Sequence, residues 1–133
     1  MVTKEEVLLA FERITAGRIA RIGDSIHGLF LQPVDFGQKL HLSTIVYIGD
    51  KFIPSSVRKA ASCPLETSPL DDTWLSIDEE RYVISLHFLD SWAPNTRSSL
   101  YELTSQFEEV ALRWREIFEE KDRQDLVHIH QSR

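Results

Sequence analysis

Between Leu100 and Phe118 the apolar residues fall at Leu100, Leu103, Phe107, Val110, Ala111, Trp114, Ile117 and Phe118. Gaps of three and four put all eight on one stripe of a single helix. Glu102, Glu108, Glu109, Arg113, Arg115, Glu116, Glu119 and Glu120 fall on the opposite face. Glu109 and Arg113 stand i,i+4 in the favourable order, which adds about 0.2–0.5 kcal/mol. The periodicity stops after Asp122, so residues 123–133 are expected to form a flexible tail to one domain spanning residues 1–122.

Upstream the period changes to two. Trp74 to Asp78 and Tyr82 to Leu89 read as strands joined at Asp78-Glu79-Glu80-Arg81. Leu40 to Ile48 reads as a long strand, with Leu40, Leu42, Val46 and Ile48 on one face and Ile45 and Tyr47 on the other. Ile26 to Gln32 reads as another strand, after the Gly23-Asp24 turn. Thr3-x-x-Glu6 is a capping box flanked by Val2 and Val7 as a hydrophobic staple, so a first helix starts there. It carries Val7, Leu8, Phe11 and Ile14 on one face and stops at Gly17, although the pattern could resume through Arg18 to Ile22. Pro54 opens a short helix through Val57 to Ala61, and Cys63 to Asp72 is a polar loop. Helix, strand, strand, short helix, hairpin and long helix make an α+β fold, a mostly antiparallel sheet covered on one face by helices.

Composition narrows the function. A chain of 133 residues that is 42% apolar is large enough to bury about two-thirds of its unfolded surface. A net charge of −6 argues against direct nucleic-acid binding and favours a basic or apolar protein partner. No run approaches the roughly 18 apolar residues of a membrane span, so no membrane insertion is expected. The opening Met-Val-Thr-Lys-Glu-Glu lacks the charged-then-apolar order of a signal peptide. The single cysteine, Cys63, fits a reducing cytoplasm.

No phosphate loop, CxxC pair, HExxH or GxSxG elbow is present. His27, His41 and His87 are each assigned to a strand between apolar neighbours, where an ordinary structural role is expected. His128 and His130 form an H-x-H without a third ligand, which is not a metal site. These absences predict a protein that is not an enzyme and holds no cofactor or metal. Trp92, after the last strand, is placed where a large ring can anchor an interface. Arg13, Arg18 and Arg21 form a local basic cluster.

Three segments carry a resemblance. Leu75-Ser76-Ile77-Asp78-Glu79-Glu80 with Tyr82 to Leu89 resembles the late hairpin of the class I type III secretion chaperones. Leu103, Phe107, Val110-Ala111 and Trp114-Arg115 resemble that family's final helix, and Leu40 to Gly49 resembles the strand before its second helix. In length and sequence the chain looks most like the chlamydial branch of the family.

The resemblance implies three helices around a twisted antiparallel sheet in the order α-β-β-(β)-α-β-β-α. It implies a non-enzymatic cytoplasmic chaperone that binds the N-terminal segment of a secreted gatekeeper or effector and keeps it competent for export. Val7, Leu8, Phe11, Leu29 and Leu31 are the candidate client-binding strip. The family's second helix is usually leucine-rich and forms a dimer interface, whereas Ser55 to Ser62 offers only Val57, Ala60 and Ala61. Those residues with Trp92 are the candidate interface for an unlike second chaperone subunit, making a heterodimer. The chlamydial likeness also implies an alternative: a transcription regulator that contacts RNA polymerase or its sigma factor. Glu108, Glu109, Glu116, Glu119 and Glu120 on the closing helix would be the candidate surface for it.

Overall fold

Helix α1 (Lys4–Thr15) begins as its capping box dictates. The Thr3 hydroxyl accepts from the Glu6 backbone N–H at 3.2 Å, and the Glu6 carboxylate accepts from the Thr3 N–H at 3.3 Å. Val2 and Val7 are both buried beneath it. The other end closes with Gly17 at φ +77°, Gly17 N–H on the Ile14 carbonyl at 3.0 Å and Arg18 N–H on the Arg13 carbonyl at 2.9 Å. That Schellman closure turns the chain out of the helix axis. Arg18 to Ile22 therefore does not resume the helix. It enters a three-residue strand, β1 (Ala20–Ile22), with Ala20 and Ile22 buried and Arg21 exposed.

A computed structural model of the protein describes residues 2–23, 27–91 and 97–131, apart from the side chains of 97–99 and 125–131. After β1 come β2 (Leu29–Val34), β3 (Lys39–Ile48), helix α2 (Ser55–Ala61), β4 (Thr73–Asp78), β5 (Val83–Ser91) and helix α3 (Arg97–Gln131). The strands form one antiparallel sheet in the order β1-β2-β3-β5-β4. This is the α+β architecture expected from the sequence, with one strand more than the element count gave. β2 starts three residues later than expected and runs through Pro33. Proline is tolerated there because β1 pairs only with Leu29 to Leu31, so Pro33 lies beyond its end. His27 accordingly sits in the turn before β2, not within a strand.

β3 alternates as read from Leu40 to Val46, and then its phase flips. The pairing with β5 shifts register between Ile45 and Tyr47, a bulge at Val46. Val46 and Tyr47 both enter the core, while Ile48, expected with Leu40 and Leu42, is exposed.

All three helices lie on one face of the sheet. The stripe on α3 is as read: Leu100, Phe107, Val110, Ala111, Trp114 and Phe118 are buried, joined by Thr104, whose hydroxyl donates to the Leu100 carbonyl at 2.8 Å. Trp114 lies on Phe118 with ring centres 5.4 Å apart, and Phe118 meets Tyr47 edge-on at 5.8 Å. The residues after Asp122, expected as a tail, continue α3 to Gln131. Tyr47 donates from its hydroxyl to Asp122 at 3.0 Å, past the end of the apolar stripe.

Arg115 departs from its assigned solvent face. Its guanidinium donates to the Ile45 carbonyl at 3.2 and 3.0 Å, the Thr44 hydroxyl at 2.9 Å and the His27 carbonyl at 3.3 Å. Thr44 in turn donates to the His27 and Gly28 carbonyls, each at 3.1 Å. β2 pairs with β3 only as far as Ser43. The arginine thus supplies donors where the β2 ladder has ended. Partial burial lowers the Arg115 pKa, opposed by the Glu108 carboxylate.

No described helix covers the other face of the sheet. Its centre holds His41 of β3 and His87 of β5, nearly coplanar, with Nε2 of His41 3.0 Å from Nδ1 of His87. Ser76 Oγ of β4 lies 2.6 Å from His87 Nε2, and the Trp74 ring lies 5.3 Å from His87. Only one proton fits between the facing nitrogens. Burial lowers the pKa of both rings, and the neighbouring His41 lowers that of His87 further.

Three outcomes test this account. Trp114→Ala should lower stability by about 3–5 kcal/mol, and Glu116→Ala by no more than about 0.5 kcal/mol; equal denaturant midpoints would mean the stripe is misassigned. Arg115→Leu should cost about 1.5–3 kcal/mol by leaving the part-buried Ile45 carbonyl and the buried Thr44 hydroxyl without this donor, and Arg115→Lys should restore little, lacking the fork. The histidine pair binds fewer protons folded than unfolded, so stability rises with pH through the window below the ordinary value of about 6.5. Melts at pH 7.5 and 5.5 should show a loss at the lower pH that shrinks in the His41→Gln/His87→Gln double variant.

Candidate protein-binding surfaces

The strip assigned to client binding is divided by the fold. Val7 of α1 and Leu29 and Leu31 of β2 point into the shared core, Leu31 with no exposure at all. They are structural residues and are not open to a client. The reason is the pairing of α1 with β1 and β2: Val7, Ala10 and Ile14 face the sheet and meet the inward positions of β2. Leu8 is exposed and Phe11 half-buried, so these two remain at the surface. Leu9, not singled out by the helical stripe, is 64% exposed beside Leu8. Phe30, between Leu29 and Leu31, points to the uncovered sheet face, where Arg21 sits 5.3 Å above its ring. The period of two in β2 assigns Phe30 to that face, so this signal was present in the sequence.

The candidate interface for a second subunit changes similarly. Val57 is fully buried beneath α2 and cannot meet a partner. Ala60 and Ala61 are half-buried and packed on the core. Trp92 lies outside the described residues. Between α2, the loop after it and α3 runs an open groove of about 730 Å³, with Ala60, Leu65, Trp114 and Ile117 at its apolar base. Arg58 reaches from α2 to the β4–β5 turn in a two-pronged pair with Glu79 at 2.7 and 2.8 Å. That hydrogen-bonded pair holds the Glu79 carboxyl below, and the Arg58 guanidinium above, their ordinary values. Being exposed, it contributes little to stability.

The acidic residues of α3 do not form one open face. Glu108 is half-buried and acts on Arg115. Glu109 pairs with Arg113 at 3.4 Å, and Arg113 also donates to the Thr67 carbonyl at 2.6 Å, tying the 62–72 loop to the helix. Glu116 and Glu120 line the groove beside α2, and Glu119 is exposed.

On the uncovered sheet face Phe30, Trp74 and Leu89 are exposed around the histidine pair. Of the two sheet edges, β1 is three residues long and β4 six. Among the described residues no group of three or more His, Cys, Asp or Glu side chains can hold a metal ion, and no helix is long and apolar enough to cross a membrane. His128 and His130 fall on α3, but their side chains lie outside the described residues.

No family model and no curated protein matches the sequence. Two solved structures match the fold. One is the Yersinia pestis type III secretion chaperone SycH, solved in complex with a stable fragment of YscM2: TM-score 0.51, 12% identity, covering 84% of this chain and 99% of that chain. The other is a chain of the heterodimeric ExoU–SpcU complex from the type III secretion system of Pseudomonas aeruginosa: TM-score 0.50, 13% identity, covering 74% of this chain and 81% of that one. The chain has the fold found in these type III secretion complexes, a five-stranded antiparallel sheet carrying three helices.

Proposed function

We propose that the protein is a non-enzymatic type III secretion chaperone of the cytoplasm that holds an extended N-terminal segment of a secreted protein, working with a second chaperone subunit. The observation that carries this reading is the shared fold, since one matching structure is a chaperone bound to a protein fragment and the other belongs to a heterodimeric secretion complex. The surface supports it: Leu8 and Leu9 on α1 and Phe30, Trp74 and Leu89 on the bare sheet face leave apolar area for protein partners. The groove along α2, with Ala60 at its base, is the corrected candidate for the subunit interface. The chlamydial likeness of the sequence belongs to the same proposal. Docking on RNA polymerase, the alternative raised by that likeness, has no observation of its own in the fold.

Affinity capture of the intact protein from its own cells, with identification of bound proteins, tests the reading. A secreted protein held through its N-terminal segment, together with a second small chaperone, is the expected catch. Leu8→Asp/Leu9→Asp should reduce recovery of the secreted protein at least about tenfold, given a few kcal/mol per buried leucine, with circular dichroism unchanged. Polymerase subunits without any secretion substrate would overturn the proposal.

A further inference from the structure

The uncovered sheet face holds a hydrogen-bonded relay that the order of residues along the chain hides. His41 of β3, Ser76 of β4 and His87 of β5 are distant in sequence, but the strand order β3-β5-β4 makes them neighbours. In the β4–β5 ladder Trp74 stands opposite His87 and Ser76 opposite Ser85. From that register Ser76 Oγ reaches Nε2 of His87 at 2.6 Å, and Nδ1 of His87 meets Nε2 of His41 at 3.0 Å. The two imidazoles lie within 5° of parallel, so the facing nitrogens share one proton nearly in the ring plane. Ser76 is exposed, whereas both rings are half-buried. An accessible hydroxyl, a base beside it and a third group behind the base are the parts that activate a serine.

Two proton arrangements satisfy these contacts while both rings are neutral. In one, Nε2 of His87 carries the proton and Ser76 only accepts. In the other, Ser76 donates to Nε2 of His87, whose Nδ1–H donates to Nε2 of His41. Only the second leaves His87 a lone pair for the serine proton. Partial burial favours the neutral form of both rings, and His41 adds to this at His87. Among the described residues the charged groups of this face stand apart from the relay. Lys39 lies two residues before His41 on β3, Arg21 of β1 sits over the Phe30 ring, and Asp78 at the end of β4 accepts from the Glu80 and Arg81 N–H groups. The outward positions of β2 and β5 beside the rings are Phe30, Gln32, Ser85 and Leu89, none of which titrates.

We propose that Ser76 is an acylation site: with His87 as base and His41 as the residue positioning that base, its hydroxyl takes the acyl group of an activated, apolar ester. As the bond from Oγ to the carbonyl carbon forms, the serine proton passes to Nε2 of His87. The bond from that carbon to the leaving oxygen then breaks, and His87 returns the proton to the departing alcohol. Trp74, stacked 5.3 Å from His87 and exposed, and Leu89 give an apolar acyl chain a place to lie. Ser85 puts a second hydroxyl on the same face, a donor for the developing oxyanion. The serine ester has a poorer leaving group than an activated donor, so it accumulates, one acyl group per chain. This goes beyond the chaperone reading, which stands or falls separately.

The probe is p-nitrophenyl hexanoate, added to the intact protein carrying Cys63→Ser so that the exposed thiol does not compete. A burst of nitrophenol with the acyl group on Ser76, located by peptide mass spectrometry, is expected, and Ser76→Ala should abolish the burst. Because only neutral His87 takes the proton, the burst rate should rise with pH through the window below the ordinary histidine value of about 6.5 and then level off. His87→Gln should slow it at least about a hundredfold. His41→Leu should slow it about tenfold, and His41→Gln, whose amide oxygen falls near the place of Nε2, should restore most of the rate. Circular dichroism should show every variant folded. Nitrogen NMR of the imidazoles should find the His87 proton on Nδ1. Acylation confined to lysines or the N-terminus, a rate that climbs with hydroxide without levelling, a folded His87→Gln that reacts as fast, or a His87 proton on Nε2 would each overturn the proposal.

Discussion

The apolar stripe of α3 is the constraint on which the structure turns, because it supplies much of the cover for the inner face of the sheet. Phe107, Val110, Trp114 and Phe118 are all buried there; α1 packs against the same helix and against β1 and β2, and α2 packs against the helix. At about 1.5–3 kcal/mol for each fully buried large apolar side chain, those four residues outweigh the exposed Arg58–Glu79 and Arg113–Glu109 pairs, whose charges water and salt screen. Placing every helix on one face has a direct consequence. The opposite face must either be polar or wait for a partner, and here it carries Phe30, Trp74 and Leu89 among serines and histidines.

Arg115 shows how a polar group can be required by an apolar core. The bulge at Val46 brings both Val46 and Tyr47 inward, which lets Tyr47 meet Phe118 and reach Asp122. Past Ser43, β3 has lost β2 as a neighbour, so its carbonyls need other donors. Arg115 lies one residue after Trp114, on the flank of the stripe, where a long side chain can lay its stem on the sheet and deliver its fork to Ile45 and His27. Helix position, bulge and strand length are thus linked through one guanidinium.

Much of this was legible in the sequence, for reasons that can be stated by element. The α1 cap, the β4–β5 hairpin and the α3 stripe depend on local spacing, and each appears where the spacing put it. β1 was missed because three residues are too few to display a period. Ile48 and Tyr47 were exchanged because a bulge leaves no mark on alternation until the partner strand is known. Val7, Leu29, Leu31 and Val57 were assigned to partners because an apolar residue on a helix or strand looks the same whether it faces its own core or another chain. Arg115 read as solvated because helical periodicity separates faces and says nothing about how far a side chain at the boundary reaches. Of the proposed binding strip, only Leu8 and Phe11 keep a place at the surface, and Leu9 and Phe30 are added by the structure.

The surfaces left open are unequal in kind, and that inequality carries the functional argument furthest. Leu8 and Leu9 offer apolar area without backbone hydrogen-bonding capacity, so they suit side chains of a partner already folded or helical. Among the described residues the outer edge of β4 pairs with no strand, and a cavity of about 250 Å³ opens beside it. The two surfaces therefore differ in the kind of contact they can make, side-chain packing at Leu8 and Leu9 and backbone pairing at β4.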